Sequence, residues 1–209
     1  MLGYGDGALL ASFSSRIQTY GVNAAWKAIV AEDRFWLAPD ELAMFQDANN
    51  KVKAASGAAR HLIRKILRER GEPEVSVIKT TLGNPIWPDN LVGSISHSDE
   101  VAFAVIANRD KFIGIGVDVE KTSGITSDLA SLILTPSEQS SYGDEAIASI
   151  FSIKEACYKA CYHADSVFFS FLDIEINLES SSARTKYGRQ IDFIWSKGEQ
   201  SAAFAFIAE

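Results

Sequence analysis

Cysteine is scarce in this chain of 209 residues, with two in total, and there are only three histidines. Cys157 and Cys161 lie four positions apart in a helix-like segment, and no second Cys/His pair is available to complete a structural zinc site. A zinc module or a disulfide framework is therefore not indicated. We interpret both thiols as small core residues of a protein from a reducing compartment.

A long apolar run and a targeting signal are also missing. The purest apolar run covers residues 101–107, far too short to span a bilayer, and no basic stretch precedes an apolar one near the N-terminus. A cytoplasmic protein without a membrane span is expected. The net charge of −7 argues against general nucleic-acid binding.

Hydrophobic residues make up 47% of the chain, enough for a packed core. Positive charge is concentrated between residues 51 and 70, where one acid stands among seven basic residues: Lys51, Lys53, Arg60, Arg64, Lys65, Arg68 and Arg70. Two interpretations stay open at this point. The segment is either the solvated face of a helix or a local anion site on an acidic protein.

The pattern of apolar residues and turn residues predicts an alternation of helices and strands. Helices are expected at 49–70 and 146–162, and Thr135, Pro136 and Glu138 have the spacing of a helix N-cap with a capping box. Strands are expected at 75–81, 91–96, 101–107, 112–120, 168–178, 190–195 and 202–207.

A helix followed by three strands thus occurs twice. The last strands even resemble each other, as VAFAVIA at 101–107 and AAFAFIA at 202–208. This repetition predicts an α+β fold of two similar halves, 1–113 and 114–209. A ligand site is expected where the halves meet.

Asp118 and Glu120 interrupt an otherwise apolar strand at alternate positions, so both project from one face. The simplest interpretation is that this face meets water. The alternative is a ligand site, which Gly114 and Gly116 favour because glycine often marks close approach of a ligand to a strand.

A second candidate element is FSIKEACYKA at 151–160. Glu155 and Lys159 are four apart on the predicted helix, as in an ordinary exposed ion pair. Alternatively, Glu155 is a third carboxylate beside Asp118 and Glu120, and the three hold Mg²⁺, or Mn²⁺, on a phosphate-bearing substrate. Lys154 and Lys159 would then contact anionic oxygens.

A third element, SISHS at 94–98, ends a predicted strand. A histidine there is commonly a plain surface residue. His97, however, is flanked by the hydroxyls of Ser96 and Ser98, which are natural donors to phosphate.

Together GIGVDVE, FSIKEACYKA and SISHS resemble, in order and separation, the motifs of the 4′-phosphopantetheinyl transferases of the surfactin and enterobactin type. PIWPDNLVGSISHS and FFSFLDIEI resemble the enterobactin branch in particular. The resemblance covers at least residues 51–178. It implies transfer of the phosphopantetheine arm of coenzyme A to a serine of an apo acyl, peptidyl or aryl carrier protein, as in holo-[acyl-carrier-protein] synthase. It also implies two α+β halves with coenzyme A between them.

The resemblance further implies roles for matching residues. Asp118, Glu120 and Glu155 would hold Mg²⁺ on the pyrophosphate of coenzyme A, and Glu155 would be the base toward the carrier serine, directly or through a metal-bound water. Lys159 would stabilise charge on the pyrophosphate. His97 would contact a phosphate, and Ser96 would line the nucleotide pocket.

Two positions depart from the enterobactin pattern. Val52 stands where an arginine is usual, and Asn84 stands where a basic residue is frequent. Lys51 or Lys53 would then take over the 3′-phosphate of coenzyme A, although lysine lacks the bidentate fork of arginine.

The carrier protein is expected to dock on the aromatic segment 161–171, which follows Glu155 and Lys159, with Phe168 as the contact residue. The protein is expected to be a monomer. Two alternatives remain. One is a degenerate paralogue that binds coenzyme A or carrier protein without turnover. The other is a different Mg²⁺-dependent transferase acting on a diphosphate.

Overall fold

The computed structural model describes residues 4–80, 83–165 and 170–209. Its helices are α1 (Tyr4–Gln18), α2 (Pro39–Ala43), α3 (Asn50–Glu69), α4 (Ala130–Ile133), α5 (Pro136–Ser141) and α6 (Ile147–Asp165). Its strands are β1 (Asn23–Ala28), β2 (Leu91–His97), β3 (Val101–Asn108), β4 (Phe112–Lys121), β5 (Ile174–Asn177), β6 (Ser182–Thr185), β7 (Gln190–Lys197) and β8 (Gln200–Ala208). Short 3-10 turns lie at Ala31–Trp36, Thr122–Gly124, Ser127–Leu129, Asp144–Ala146 and Phe171–Asp173.

The strands form two antiparallel sheets, in the orders β1-β3-β2 and β4-β8-β7-β6-β5. In the first sheet β3 lies between β1 and its hairpin partner β2, and in the second sheet β8 lies between β4 and its hairpin partner β7. The unit is therefore strand, helix and hairpin: β1, α3, β2 and β3 in the first half, and β4, α6, β7 and β8 in the second. The predicted pair of similar α+β halves is confirmed, and the two look-alike segments occupy equivalent strands, β3 and β8.

Several predicted elements differ in the structure. Residues 75–80 form no strand and make only one bridge, between Lys79 and Pro85. Of the strand predicted at 168–178, residues 168 and 169 lie outside the described residues, and the described part forms only β5. The elements α1, β1 and β6 were not predicted. Strand β4 begins at Phe112, two residues before the proposed boundary at 113/114, and the division into halves at that point remains a proposal.

Three apolar clusters hold the elements together. Helix α3 covers one face of the first sheet, with Ile63 and Ile66 against Ala104 and Ile106. Helix α6 covers one face of the second sheet. The opposite faces of the two sheets share a third cluster with α1, which lies between the halves. A bilayer-spanning helix is not found in the described part of the chain, because none there is sufficiently long and apolar.

Local signals explain where the helices begin and end. The side chain of Asn49 accepts a hydrogen bond from the backbone N–H of Val52 at 3.0 Å, and this N-cap starts α3. Past its end Gly71 takes a positive φ of 71°. The predicted capping box of α5 is confirmed, because Thr135 Oγ1 accepts from Glu138 N and Glu138 accepts from Thr135 N.

Candidate active site

The site is a cleft of about 290 Å³ between the two halves. Its floor is the junction of β2 and β4, the neighbouring edge strands of the two sheets. α3 and the loop at 83–85 lie on one side, and α6 lies on the other. The cleft is lined by Ser56, Arg60, Lys79, Gly83, Asn84, Pro85, Gly93, Ser94, Ile95, Ser96, His97, Asp118, Glu120, Glu155, Lys159 and His163.

Serine hydroxyls join the two edge strands across this floor. Ser94 Oγ accepts a hydrogen bond from Val117 N at 3.0 Å, and Ser96 Oγ accepts one from Val119 N at 3.4 Å. Because these hydroxyls satisfy backbone donors of β4, the two sheets meet without a continuous ladder. The junction brings SISHS of the first half beside the acidic strand of the second.

Gly114 and Gly116 serve packing and not ligand approach, which corrects the interpretation drawn from the sequence. A Cβ on Gly114 would lie 2.1 Å from the carbonyl oxygen of Ala160, and one on Gly116 would lie 1.9 Å from that of Ala156. The bare strand therefore lets the backbone of α6 lie directly on β4. This close approach carries Glu155 and Lys159 to the face that holds Asp118 and Glu120.

Asp118 is the centre of the polar network, and it is only 2% exposed. Its Oδ1 accepts hydrogen bonds from Lys159 Nζ at 2.8 Å and from Ser96 Oγ at 2.9 Å. Lys159 also donates to the carbonyl of Val117 at 3.0 Å. The second oxygen of Asp118, Oδ2, is buried and has no hydrogen-bond partner. A buried carboxylate oxygen of this kind is a natural ligand for a cation.

Glu120 and Glu155 line the same cleft, and the pKa of each is raised there. Burial, reinforced by the charge of Asp118, raises the pKa of Glu120 to about 7. Burial also raises the pKa of Glu155, against the opposing charge of Lys159. Among residues 4–80, 83–165 and 170–209, no three His, Cys, Asp or Glu side chains converge into a ready-made metal cage. The predicted carboxylates thus share a cleft without forming a closed site.

The opposite side of the cleft is cationic. Arg60, 1% exposed, donates from Nε to the carbonyl of Val77 and from Nη1 to that of Ser56, while its Nη2 is buried without a partner. Its nearest carboxylate, Glu41, lies 3.8 Å away and also bonds Arg64 at 2.9 Å. Glu41 thus pairs with both Arg60 and Arg64, and one of the two positive charges is not neutralised by it.

Lys79 and His97 complete this side of the cleft. Burial and the charge of Arg60 lower the pKa of Lys79. Burial, together with Lys159 and Lys79, lowers the pKa of His97, so this imidazole is neutral near pH 7. The sequence placed Arg60 in the basic segment 51–70 without singling it out as a site residue, and it gave no indication of Lys79. The available signal for Arg60 was a charge at helical spacing from the apolar residues of α3.

Three predicted coenzyme A contacts lie elsewhere in the described structure. The ammonium of Lys154 is fully buried and pairs with Glu138 at 2.6 Å, so this structure gives no support to its predicted contact with anionic oxygens. Lys51 pairs with Asp99 at 2.8 Å, both side chains being largely exposed, and Lys53 donates to the carbonyl of Gln46 at 3.1 Å. Neither Lys51 nor Lys53 is among the residues that line the cleft.

A second cavity, which we call the groove, has a volume of about 470 Å³ and lies beside α6. It is lined by Leu132, Lys154, Glu155, Tyr158, Ser170, Phe171, Leu172 and Ile174. Glu155 belongs to both the groove and the cleft. The predicted docking residue Phe168 lies outside the described residues. The two cysteines are buried free thiols on the core-facing side of α6, as predicted.

Fold and cleft together define a two-halved α+β protein whose cleft sets carboxylates opposite the cations Arg60 and Lys79. Two family models match the chain. The 4′-phosphopantetheinyl transferase N-terminal domain matches residues 40–107, and the 4′-phosphopantetheinyl transferase superfamily matches residues 114–207.

Individual relatives agree. Enterobactin synthase component D of Escherichia coli O157:H7 is 32% identical over 155 residues, which cover 70% of this chain and 72% of the relative. The 4′-phosphopantetheinyl transferase Npt of Nocardia iowensis is 33% identical over 126 residues, 58% of this chain and 57% of Npt. PptT of Mycobacterium tuberculosis is 28% identical over 150 residues, 69% of this chain and 66% of PptT. This chain belongs to the 4′-phosphopantetheinyl transferase family, and it matches less than two thirds of the length of Npt and of PptT.

Proposed function

We propose that this protein transfers the 4′-phosphopantetheine arm of coenzyme A to a serine of an apo carrier protein and releases adenosine 3′,5′-bisphosphate. The observation that carries the proposal is the cleft itself. There the unpartnered oxygen of Asp118 and the unpartnered nitrogen of Arg60 line opposite sides. A cation bound to a diphosphate satisfies both. The names of two relatives, the 4′-phosphopantetheinyl transferases Npt and PptT, support the same activity.

The reaction needs positioning more than covalent help from the protein. The carrier serine oxygen forms a bond to the phosphorus that bears the arm. The bond from that phosphorus to the bridging oxygen breaks, and the nucleotide leaves with that oxygen. Glu155 takes the serine proton, which its raised pKa favours. Lys159 is partly exposed in the cleft, and its three ammonium hydrogens bond Asp118, Val117 and Ser96. Its charge, and not a free hydrogen-bond donor, neutralises the charge that develops on the diphosphate oxygens.

The residues present fit a Mg²⁺ ion, with Mn²⁺ as a substitute. Asp118 would offer its free buried Oδ2, and Glu120 and Glu155 would supply further oxygens. Magnesium keeps several waters and uses few protein carboxylates when a substrate phosphate is bound, so an open arrangement suits it. When bound, the ion would neutralise the diphosphate and relieve the repulsion among the three acids.

The cationic side of the cleft would hold the remaining charge of coenzyme A. Arg60 supplies a buried positive charge, Lys79 supplies an exposed one, and His97 supplies a neutral donor. Ser96 lines the cleft, and its hydroxyl hydrogen bonds Asp118. This assignment replaces Lys51, Lys53 and Lys154. It also accounts for the tolerance of Val52 and Asn84, since the cations come from deeper in α3 and from the segment before the loop at 83–85.

The groove continues from Glu155 and is mainly apolar, which suits the amide chain and the dimethyl carbon of the arm. Leu132 and Leu172, exposed by 65% and 49%, stand at the groove and offer an apolar contact for the carrier protein. Both halves of the cleft come from one chain, and this supports a monomer as the active form.

The test is mass spectrometry of apo acyl, peptidyl and aryl carrier proteins after incubation with coenzyme A and Mg²⁺. A gain of one phosphopantetheine group, absent with EDTA, is expected. Binding of coenzyme A without any gain would favour a degenerate paralogue. Consumption of coenzyme A without modification of a carrier would favour another diphosphate-directed transferase.

A further inference from the structure

The ammonium of Lys154 is saturated with hydrogen bonds inside the protein. It is 0% exposed and donates to the carbonyl of Ile133 at 2.8 Å, to the carbonyl of Phe171 at 2.9 Å and to Glu138 Oε2 at 2.6 Å. A lysine ammonium has three hydrogens, and each has an acceptor here. Lys154 therefore has no donor left for a substrate.

The acceptors belong to three different elements around the groove. Ile133 ends α4, Glu138 lies in α5, and Phe171 begins the turn Phe171–Asp173. Glu138 is itself fixed, because it accepts from the backbone N–H of Thr135 at 2.8 Å and from that of Ile176 at 2.7 Å. The side chain of Lys154 thus bonds all three elements around the groove, and it does so from the position next to Glu155 in α6.

The groove depends on the same elements. Leu132 precedes Ile133, and Leu172 follows Phe171, so both leucines are held by carbonyls one residue away. None of the three bonds of Lys154 reaches a residue that lines the cleft. Lys154 therefore holds the groove, whereas the cleft proposed for the nucleotide does not depend on its hydrogen bonds.

We propose that Lys154 is a positioning residue that fixes the groove beside Glu155 and thereby sets how the arm and the carrier serine approach that carboxylate. The proposal rests on the proposed function. A buried ion pair is weak evidence for stability, since replacing both partners by uncharged residues of similar volume is often neutral or better. Its two carbonyl bonds give Lys154 a role that an uncharged replacement cannot fill.

The experiment compares the wild type with the double variant Lys154→Met/Glu138→Gln, which removes both charges and leaves neither unpaired. The matched control is Lys65→Met/Glu69→Gln, at an exposed pair with a 2.6 Å separation on α3. Three quantities are measured: the melting temperature, the Kd for adenosine 3′,5′-bisphosphate by calorimetry, and kcat for transfer to a carrier protein.

The double variant at Lys154 is expected to fold, to keep its Kd for the nucleotide and to lose about tenfold or more in kcat, the scale that a small misplacement of reacting groups produces. The control should match the wild type in all three. Wild-type kcat in the double variant would overturn the proposal, as would a Kd that weakens in parallel with kcat. Failure of the double variant to fold would also overturn it, because the pair Lys154–Glu138, whose glutamate also accepts from Thr135 N and Ile176 N, would then specify the fold itself. A wild type that modifies no carrier would instead overturn the proposed function.

Discussion

Lys159 Nζ lies 2.8 Å from Asp118 Oδ1, and this contact joins the helix of the second half to its first strand at the floor of the cleft. Only one oxygen of Asp118 is used in this way. The ion pair holds the carboxylate in place while the other oxygen stays available. The same lysine donates to Ser96 Oγ at 3.2 Å, so the network also reaches the first half of the molecule.

Asp118→Asn is therefore expected to abolish transfer without unfolding the protein. The substitution keeps the shape and removes the charge that a cation and Lys159 require, and the loss should be about a hundredfold or more in kcat. The protein should stay folded, because the amide oxygen can still accept from Lys159 and Ser96 at the position of Oδ1. Asp110→Asn, in the turn between β3 and β4, is the control. Turnover close to wild type at saturating Mg²⁺ would refute the role assigned to Asp118.

Gly116→Ala tests the contact between β4 and α6. The new Cβ would lie 1.9 Å from the carbonyl oxygen of Ala156, so the helix must move away from the strand. Overpacking of this kind typically costs about 1–3 kcal/mol of unfolding free energy. Activity should fall as well, since Glu155 and Lys159 would move with the helix.

Gly124→Ala is the matched control for that substitution, because a Cβ there meets nothing within 4 Å and the residue has no positive φ. Thermal unfolding and transfer assays on both variants decide the point. Equal stability of the two variants would show that α6 tolerates displacement from β4.

Much of the acidic half of the site was predictable because its signals are local. Alternation along a strand places Asp118 and Glu120 on one face, and helical spacing places Lys159 beside Glu155. The same spacing shows why Lys154 fails as a phosphate contact: five residues turn a helix by about 140° from Lys159, toward the core. Helical periodicity places Lys154 and Lys159 on different faces of the helix, whereas the sequence motif contains both and does not distinguish their roles.

The cationic half was not predictable. Arg60 is buried only because Phe45, Glu41 and the carbonyl of Val77 surround it after folding. Lys79 comes from a segment that has strand-like composition but forms a loop, since only one bridge holds it. Such contacts depend on long-range packing, which a single sequence does not encode in any short pattern.

Lys79→Met should weaken coenzyme A binding by about tenfold or more, the scale of a lost charge-assisted hydrogen bond. The reason is the position of Lys79 in the cleft beside the buried guanidinium of Arg60, where it adds a second positive charge. Calorimetry with coenzyme A and with 3′-dephospho-coenzyme A measures the effect. The double variant Lys51→Ala/Lys53→Ala serves as the comparison and should retain the wild-type preference. If only that double variant lost the preference for coenzyme A, the 3′-phosphate would be bound at the start of α3.

Glu120 predicts how pH and metal act together on stability. Its pKa is raised from 4.5 to about 7 in the folded protein, so the folded state binds the proton more tightly than the unfolded state. Without metal, this group should make stability decline as pH rises from 4.5 through 7. Mg²⁺ should therefore stabilise the protein more at pH 8 than at pH 6. Melting curves in EDTA and in Mg²⁺ test this, and Glu120→Gln should flatten the metal-free decline; an unchanged decline in that variant would contradict the assignment.

His163 predicts the opposite slope at lower pH. It lies at the end of the cleft near Gly93, with Nε2 2.9 Å from that carbonyl oxygen, and burial lowers its pKa from 6.5 to about 4. The unfolded chain then binds the proton more readily than the folded protein. The stability that this group contributes is complete above pH 6.5 and is lost as the pH falls toward 4. In His163→Gln the amide can still donate to Gly93 but does not titrate. The difference in melting temperature between wild type and variant should therefore change between pH 6.5 and 4 and stay constant above pH 7. A constant difference across the whole range would show that His163 is not held neutral by the fold.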